Sequence, residues 1–274
     1  MPDRYAVIGN PVAHSKSPWI HAQFARATGQ DIEYLRIEAP LDGFVRTVAG
    51  FRAAGGRGAN VTLPFKEQAF RYCAATSARA QAAQTVNTLV LDRGAPWGDN
   101  TDGVGLVRDL EQNIGFALPG RRVLLMGAGG AAQGVLAPLL EARVAHVVIV
   151  NRTPDRARAL ADRFAPAAQA AAATLAACGY DALAGEAFDL VVNATSAGLS
   201  GELPLLPDGL FRARALAYDM VYGRETPFLA FARAAGAQPH DGAGMLVEQA
   251  AESFFVWRGI RPDTRPVLAA LRAR

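Results

Sequence analysis

The chain has 274 residues, of which 51% are hydrophobic and 19% charged, with a net charge of +3. That length corresponds to roughly two domains with sizeable cores, and the composition excludes a disordered chain. No long run of like charges marks a nucleic-acid surface, no uninterrupted apolar stretch is long enough to span a bilayer, and Met1 to Tyr5 lack the basic-then-apolar order of a secretion signal.

A cytoplasmic protein with small-molecule partners is therefore expected, without nucleic acid or membrane, as a monomer or homodimer. Cys73 and Cys178 cannot build a disulfide framework, and His14, His21, His146 and His240 are scattered, so no metal site is expected. Only two of the 28 basic residues are lysine, Lys16 and Lys66. A lysine surviving such a bias is a candidate for a position that needs a compact amine, or one able to lose its proton.

In chain order, Arg4 to Ile8 reads as a strand ended by Gly9-Asn10-Pro11. His14-Ser15-Lys16-Ser17-Pro18 leads into a helix carrying Ile20, Phe24 and Ala27, with Ser17 as its expected N-cap. Hydroxyls and an amine beside a helix start also suit a carboxylate or phosphate. Ile32 to Ile37 is a second strand, Asp42 to Ala54 a helix and Ala59 to Leu63 a third strand, giving a βαβαβ half.

Asn60-Val61-Thr62-Leu63-Pro64-Phe65-Lys66 places polar residues at a strand's C-terminal end, where open α/β sheets bind ligands. Pro64 is expected to begin a helix with Lys66 in its first turn, where the helix field lowers an amine's pKa. The alternative is an exposed lysine partly neutralised by Glu67. Val86 to Val90 is another strand, with Asn87 the one polar residue among apolar neighbours before Thr88; Asn87 either has a site role or satisfies backbone groups. In Gly98-Asp99-Asn100-Thr101-Asp102-Gly103, Asp102 is a natural N-cap.

Val123-Leu124-Leu125-Met126-Gly127-Ala128-Gly129-Gly130-Ala131-Ala132 reads as strand, phosphate loop and helix. Gly127 and Gly129 match the tight-turn and close-approach glycines of a dinucleotide fingerprint, with Ala132 at the packing position. The following strand, His146 to Val150, ends in Asn151-Arg152-Thr153 rather than in an acidic residue. A carboxylate there would repel a 2′-phosphate, whereas Arg152 and Arg156 can meet it, which points to NADP rather than NAD. The alternative is that both arginines are solvated surface charges.

Phe164 to Cys178, with Ala170 to Ala173, reads as a loop or exposed helix. Phe188 to Asn193 is a strand followed by Thr195 and Ser196, and Leu216 to Met220 is another. The last helix spans roughly Gly244 to Trp257, with Gln249 beside its apolar face.

Taken together, His14-Ser15-Lys16-Ser17-Pro18, Asn60 to Lys66, Val86-Asn87-Thr88-Leu89 and Asn100-Thr101-Asp102-Gly103 resemble the signature blocks of the shikimate dehydrogenase family. So do the glycine loop, Asn151-Arg152-Thr153, Asn193-Ala194-Thr195-Ser196, Tyr218 to Tyr222, Asp241-Gly242 and Met245 to Ala251, so the resemblance runs nearly end to end.

It implies an α/β fold of two lobes with a cleft between them. The N-terminal lobe is an α/β substrate domain with a mostly parallel sheet (1–102, completed by C-terminal helices 240–274), and the other is a Rossmann-type NADP-binding domain (103–239). It also implies reversible NADPH-dependent reduction of 3-dehydroshikimate to shikimate, in the pathway to aromatic amino acids. Lys66 and Asp102 would be the catalytic pair, and Ser15, Ser17, Asn60, Thr62, Asn87, Asp102, Tyr222 and Gln249 would hold the substrate. The cofactor set is Gly127, Ala128, Gly129, Gly130, Ala131, Asn151, Arg152, Thr153, Arg156, Thr195, Met220 and Gly242, although Met220 could equally fill core. The chain departs from the family pattern at Ala78, where some relatives carry an acidic residue, and at Gln84-Thr85, where Gly-Ala is common. The alternatives are a quinate/shikimate dehydrogenase with relaxed cofactor use, or a non-catalytic NADPH-binding regulator.

Overall fold

Tyr5-Ala6-Val7-Ile8 is an apolar run with no polar face, as an interior strand covered on both sides requires. In a computed structural model, which describes residues 1–195 and 201–274, it forms most of β1 (Asp3–Gly9). The chain then alternates through α1 (Ser17–Thr28), β2 (Ile32–Glu38), α2 (Phe44–Ala53), β3 (Gly56–Val61), α3 (Lys66–Tyr72), β4 (Ala75–Thr76), α4 (Ala78–Ala83), β5 (Thr88–Val90), β6 (Trp97–Asp99) and α5 (Asp102–Arg108). The strands form a six-stranded sheet in the order β2-β1-β3-β5-β6-β4. β1 runs parallel to β2 and β3, whereas β5 is antiparallel to β3 and β6. Ile8, Phe44, Val61, Phe65 and Leu89 share its core, with the Phe44 and Phe65 rings stacked at 5.1 Å.

After a π-helical turn over Asp109–Asn113 a second sheet begins. Its elements are β7 (Arg122–Met126), α6 (Gly130–Glu141), β8 (His146–Val150), α7 (Pro154–Ala170), β9 (Thr174–Cys178), β10 (Phe188–Asn193), β11 (Phe211–Asp219), α8 (Pro227–Ala234) and β12 (Gln238–Asp241). Every pairing is parallel and the order is β12-β11-β10-β7-β8-β9. Read from β7 outward, this is the doubly wound dinucleotide-binding order, with its reversal between β7 and β10. The chain closes with α9 (Ala243–Arg258) and α10 (Arg265–Arg272). It folds into two compact units, residues 1–106 with 246–274, and residues 107–245. In the first unit α9 is anchored by Trp257, which stacks on Tyr5 at 4.6 Å and donates from Nε1 to the Leu89 carbonyl at 2.9 Å.

The α/β class and the parallel-dominated sheets agree with the sequence reading, while several local expectations are corrected. Of the two readings of the alanine-rich stretch, the exposed helix holds as far as Ala170, where α7 ends, and is corrected beyond it, where β9 follows at the sheet edge. Its small residues give neither period a clear signal, which hid the change from helix to strand. Pro64 does not begin a helix, because α3 opens at Lys66 after a turn in which the Phe65 N–H reaches the Thr62 carbonyl. Ser17 is the first residue of α1 rather than its cap; its own N–H is taken by Ser15 Oγ at 3.3 Å. Gln84 closes α4 with φ of 54°, a left-handed conformation that glycine adopts at less cost than a residue with a Cβ.

Candidate active site

Within the first unit the predicted polar residues converge at the C-terminal ends of β1 and β3. Lys66, at the start of α3, places Nζ 2.5 Å from Asp102 Oδ2 at the start of α5. The side chains are 15% and 7% exposed, so the pair is partly desolvated and its attraction is stronger than in water. Lys16, by contrast, is exposed. Asp102 spends its second oxygen on Asn87, whose Nδ2 donates to Oδ1 at 2.8 Å. The carboxylate is thus clamped from both sides, by a cation and by a neutral amide.

Asn87 lies just before β5 and is 2% exposed. Its Oδ1 accepts the Thr101 N–H at 2.9 Å and the Thr88 hydroxyl at 2.9 Å, while Nδ2 also reaches Gln249 Oε1 at 3.3 Å. Asn60, on β3, accepts the Tyr34 hydroxyl at 2.7 Å and donates to Ser253 Oγ at 2.9 Å. Burial holds the Tyr34 phenol well above its ordinary pKa, opposed by a bond with Ser17, so Tyr34 stays a donor. Gln249 on α9 donates to the Leu246 carbonyl at 2.8 Å. Ser15 and Ser17 are buried, and Arg36 grips the Ser15 carbonyl at 3.0 Å from Nε and 2.7 Å from Nη2. Thr62 is half-buried, and its methyl presses so closely on Gly9 that a Cβ there would lie 2.4 Å away.

Sequence reasoning passed over Tyr34, which holds Asn60, and Thr88 and Ser253, which link Asn60 to Asn87. Ser253 was discoverable, since it stands four residues after Gln249 and so shares its helix face. Its hydroxyl lies 2.8 Å from Thr88 Oγ1 and 3.2 Å from Thr101 Oγ1. Thr85, one of the departures from the family pattern, accepts the Asn100 amide at 2.8 Å on its hydroxyl and so supports the turn before Asp102.

The second unit carries the glycine loop at the strand-order reversal. Gly127 has φ of 107°, and a Cβ there would lie 3.2 Å from the Ala194 carbonyl oxygen and 3.2 Å from Thr195 Cγ2. Gly129 leads into α6 facing open space, with partly exposed Ala128, Gly130 and Ala131 around it. Thr195 is held against this loop by Asn193, whose Oδ1 accepts the Thr195 hydroxyl at 2.7 Å and whose Nδ2 donates to Asp219 Oδ2 at 3.2 Å. Burial raises the Asp219 pKa, opposed by bonds from Thr226, the Val221 N–H and Asn193. Ser196 lies outside the described residues.

At the end of β8, Asn151 donates to the Thr153 carbonyl at 2.9 Å, and Thr153, Arg152 and Arg156 are exposed. Neither arginine has a carboxylate partner among the described residues, and no acidic side chain ends the strand. Helix-start N–H groups, open space at Gly129 and two guanidinium groups without a carboxylate among the described residues fit a dinucleotide carrying a 2′-phosphate. Gly242 is forced by contact, since its Cβ would lie 2.4 Å from the Met220 carbonyl oxygen. Met220 and Tyr222 are half-buried residues of this same unit.

Three family models match the chain: the shikimate dehydrogenase substrate binding domain over residues 7–89, shikimate/quinate 5-dehydrogenase over 109–200, and the shikimate 5′-dehydrogenase C-terminal domain over 242–272. A shikimate dehydrogenase (NADP(+)) of Methylobacillus flagellatus is 60% identical across 99% of both chains. The chain belongs to the shikimate dehydrogenase family. Among solved structures, an Ael1 enzyme of Pseudomonas putida has a TM-score of 0.88 at 48% identity over 98% of both chains. The shikimate 5-dehydrogenase of Thermus thermophilus, in complex with NADP(H) and shikimate, has a TM-score of 0.86 at 36% identity over 99% of both. In this chain Lys66 and Asp102 lie beside the first sheet and the glycine loop lies on the second.

Proposed function

We propose that the chain is an NADP-dependent shikimate dehydrogenase that interconverts 3-dehydroshikimate and shikimate. The observation that carries this reading is the Lys66–Asp102 pair at 2.5 Å, tied through Asn87 to the amides of Asn60 and Gln249. The nicotinamide of the cofactor, when bound, supplies the hydride. Gly127 to Ala131 and the first turn of α6 hold its pyrophosphate, Arg152 and Arg156 its 2′-phosphate, and Thr195 stands beside the loop.

When the ring ketone is reduced, negative charge develops on its oxygen and a proton must arrive there. Lys66 donates that proton from Nζ, and in the reverse direction the same nitrogen accepts it. Asp102 keeps the amine oriented and compensates its charge. General acid help of this kind is worth on the order of a hundredfold to ten-thousandfold. Asn60, Thr62, Asn87 and Gln249, with the hydroxyls of Ser15 and Ser17, hold the substrate's hydroxyls and carboxylate. A polyhydroxy acid suits such a set, because each neutral amide and hydroxyl both donates and accepts.

Reduction of NADP by the purified protein, followed by nicotinamide absorbance, tests this reading with shikimate and quinate as substrates and NADP and NAD as cofactors. Turnover confined to shikimate with NADP is expected. Comparable turnover with quinate or NAD would make it a quinate/shikimate dehydrogenase, and tight NADPH binding without turnover would make it a binding protein.

A further inference from the structure

Arg79, on α4, lies outside the predicted site, yet its guanidinium joins the two chain segments that bring Asp102 and Gln249 into the first unit. Toward β6 it takes both oxygens of Asp99, with Nε 2.7 Å from Oδ1 and Nη2 2.5 Å from Oδ2. Asp99 is 2% exposed, and its Oδ1 also receives the Ser77 hydroxyl at 2.5 Å and the Asn100 N–H at 2.8 Å. That carboxylate therefore sets the turn that ends at Asp102. Toward α9, Nη1 and Nη2 of Arg79 each lie 3.1 Å from Glu252 Oε1. Glu252 stands three residues after Gln249 and next to Ser253, which bonds to Asn60, Thr88 and Thr101.

We propose that Arg79 is a positioning residue for the reaction: by gripping Asp99 and Glu252 together it fixes the Asp102 turn against the face of α9 that carries Gln249, and so sets the affinity for the substrate acid. This rests on the shikimate dehydrogenase reading above. Gln249 Oε1 is reached across the site only by long bonds, from Asn87 Nδ2 at 3.3 Å and Thr101 Oγ1 at 3.5 Å, so its placement depends chiefly on how α9 is held. A planar fork with donors along two edges meets both carboxylates at once; an ammonium on a flexible stem does not reproduce that geometry. The ends of the bridge keep other partners when Arg79 is removed. Asp99 retains Ser77 and Asn100, and Glu252 retains Arg261, 2.5 Å from its Oε2.

The test is steady-state kinetics of the whole enzyme on shikimate and NADP for wild type, Arg79→Met, Arg79→Lys, Glu252→Gln and the Arg79→Met/Glu252→Gln double variant, each with its thermal unfolding curve. For Arg79→Met the shikimate KM should rise about tenfold or more, with the NADP KM within about twofold, and Arg79→Lys should recover part of the loss. Glu252→Gln should move the shikimate KM in the same direction, and the double variant should be no worse than the worse single one. If Arg79→Met does not fold, Arg79→Lys and Glu252→Gln still carry the comparison. A shikimate KM within about twofold of wild type in the folded variants, whatever their melting points, overturns the proposal, as do additive effects in the double variant. Wild type that does not oxidise shikimate overturns the functional reading and this inference with it, whereas an active wild type with indifferent variants overturns this inference alone.

Discussion

Lys66 and Asp102 stand 36 residues apart in the chain, yet their charged groups are 2.5 Å apart at the starts of two helices, with Asn87 bonded to the far oxygen of the carboxylate. The arrangement uses each Asp102 oxygen once, so the carboxylate cannot turn without losing a donor. An Asp102→Asn substitution removes the negative charge and confronts either Lys66 Nζ or Asn87 Nδ2 with an amide NH₂. Turnover is expected to fall by about a hundredfold or more, within the range of positioned acid–base help, while NADP binding measured by fluorescence stays within about twofold. Turnover close to wild type would remove Asp102 from the chemistry.

Arg152 and Arg156 are exposed and have no carboxylate partner among the described residues. Replacing both with serine should therefore cost little stability and should weaken NADP more than NAD by about ten- to a hundredfold, as loss of charge-assisted bonds to one phosphate predicts. Equal weakening of the two cofactors in parallel titrations would show that neither arginine reads the 2′-phosphate.

His21 is fully buried, its ring stacked on Tyr34 at 4.3 Å with an interplanar angle of 7°, and among the described residues neither ring nitrogen has a partner within hydrogen-bond distance. Burial lowers its pKa to about 3, opposed by the nearby Asn60 side chain. The unfolded chain takes up a proton near pH 6.5 and the folded one does not, so the unfolded state binds more protons between these values. The contribution of His21 to stability is thus fully present above pH 6.5 and declines as the pH falls toward 3. Between pH 7 and pH 5 the decline amounts to about 2 kcal/mol. His21→Phe keeps an aromatic ring on Tyr34 and cannot titrate, so its urea-unfolding free energy should fall less over this interval, by about that amount. Identical pH dependence in both proteins would contradict the assignment.

How much of this was legible in the sequence depended on how local each feature is. The glycine loop and its flanking strand were readable because Val123 to Met126 is fully buried and Gly127 must adopt a positive φ, and both requirements act within ten residues. Lys66 stood out through the scarcity of lysine, and the same argument named Lys16, which proves exposed. Arg79 was invisible, because Glu252 lies 173 residues away and nothing in a run of alanines distinguishes one surface arginine from another. The strand after α7 escaped for a related reason: Thr174-Leu175-Ala176-Ala177-Cys178 is half-exposed at the sheet edge and lacks the branched apolar run that marks an interior strand.

The central claim is that Lys66 carries the proton of the redox step. It is tested most directly by single-turnover reduction of NADP by shikimate, comparing wild type with Lys66→Ala after binding of both ligands has been measured separately. The expected result is nearly unchanged binding with a hydride-transfer rate lower by about a hundredfold or more. A rate equal to wild type at saturating ligands would contradict the account and leave the Lys66–Asp102 pair as an ion pair of the fold alone.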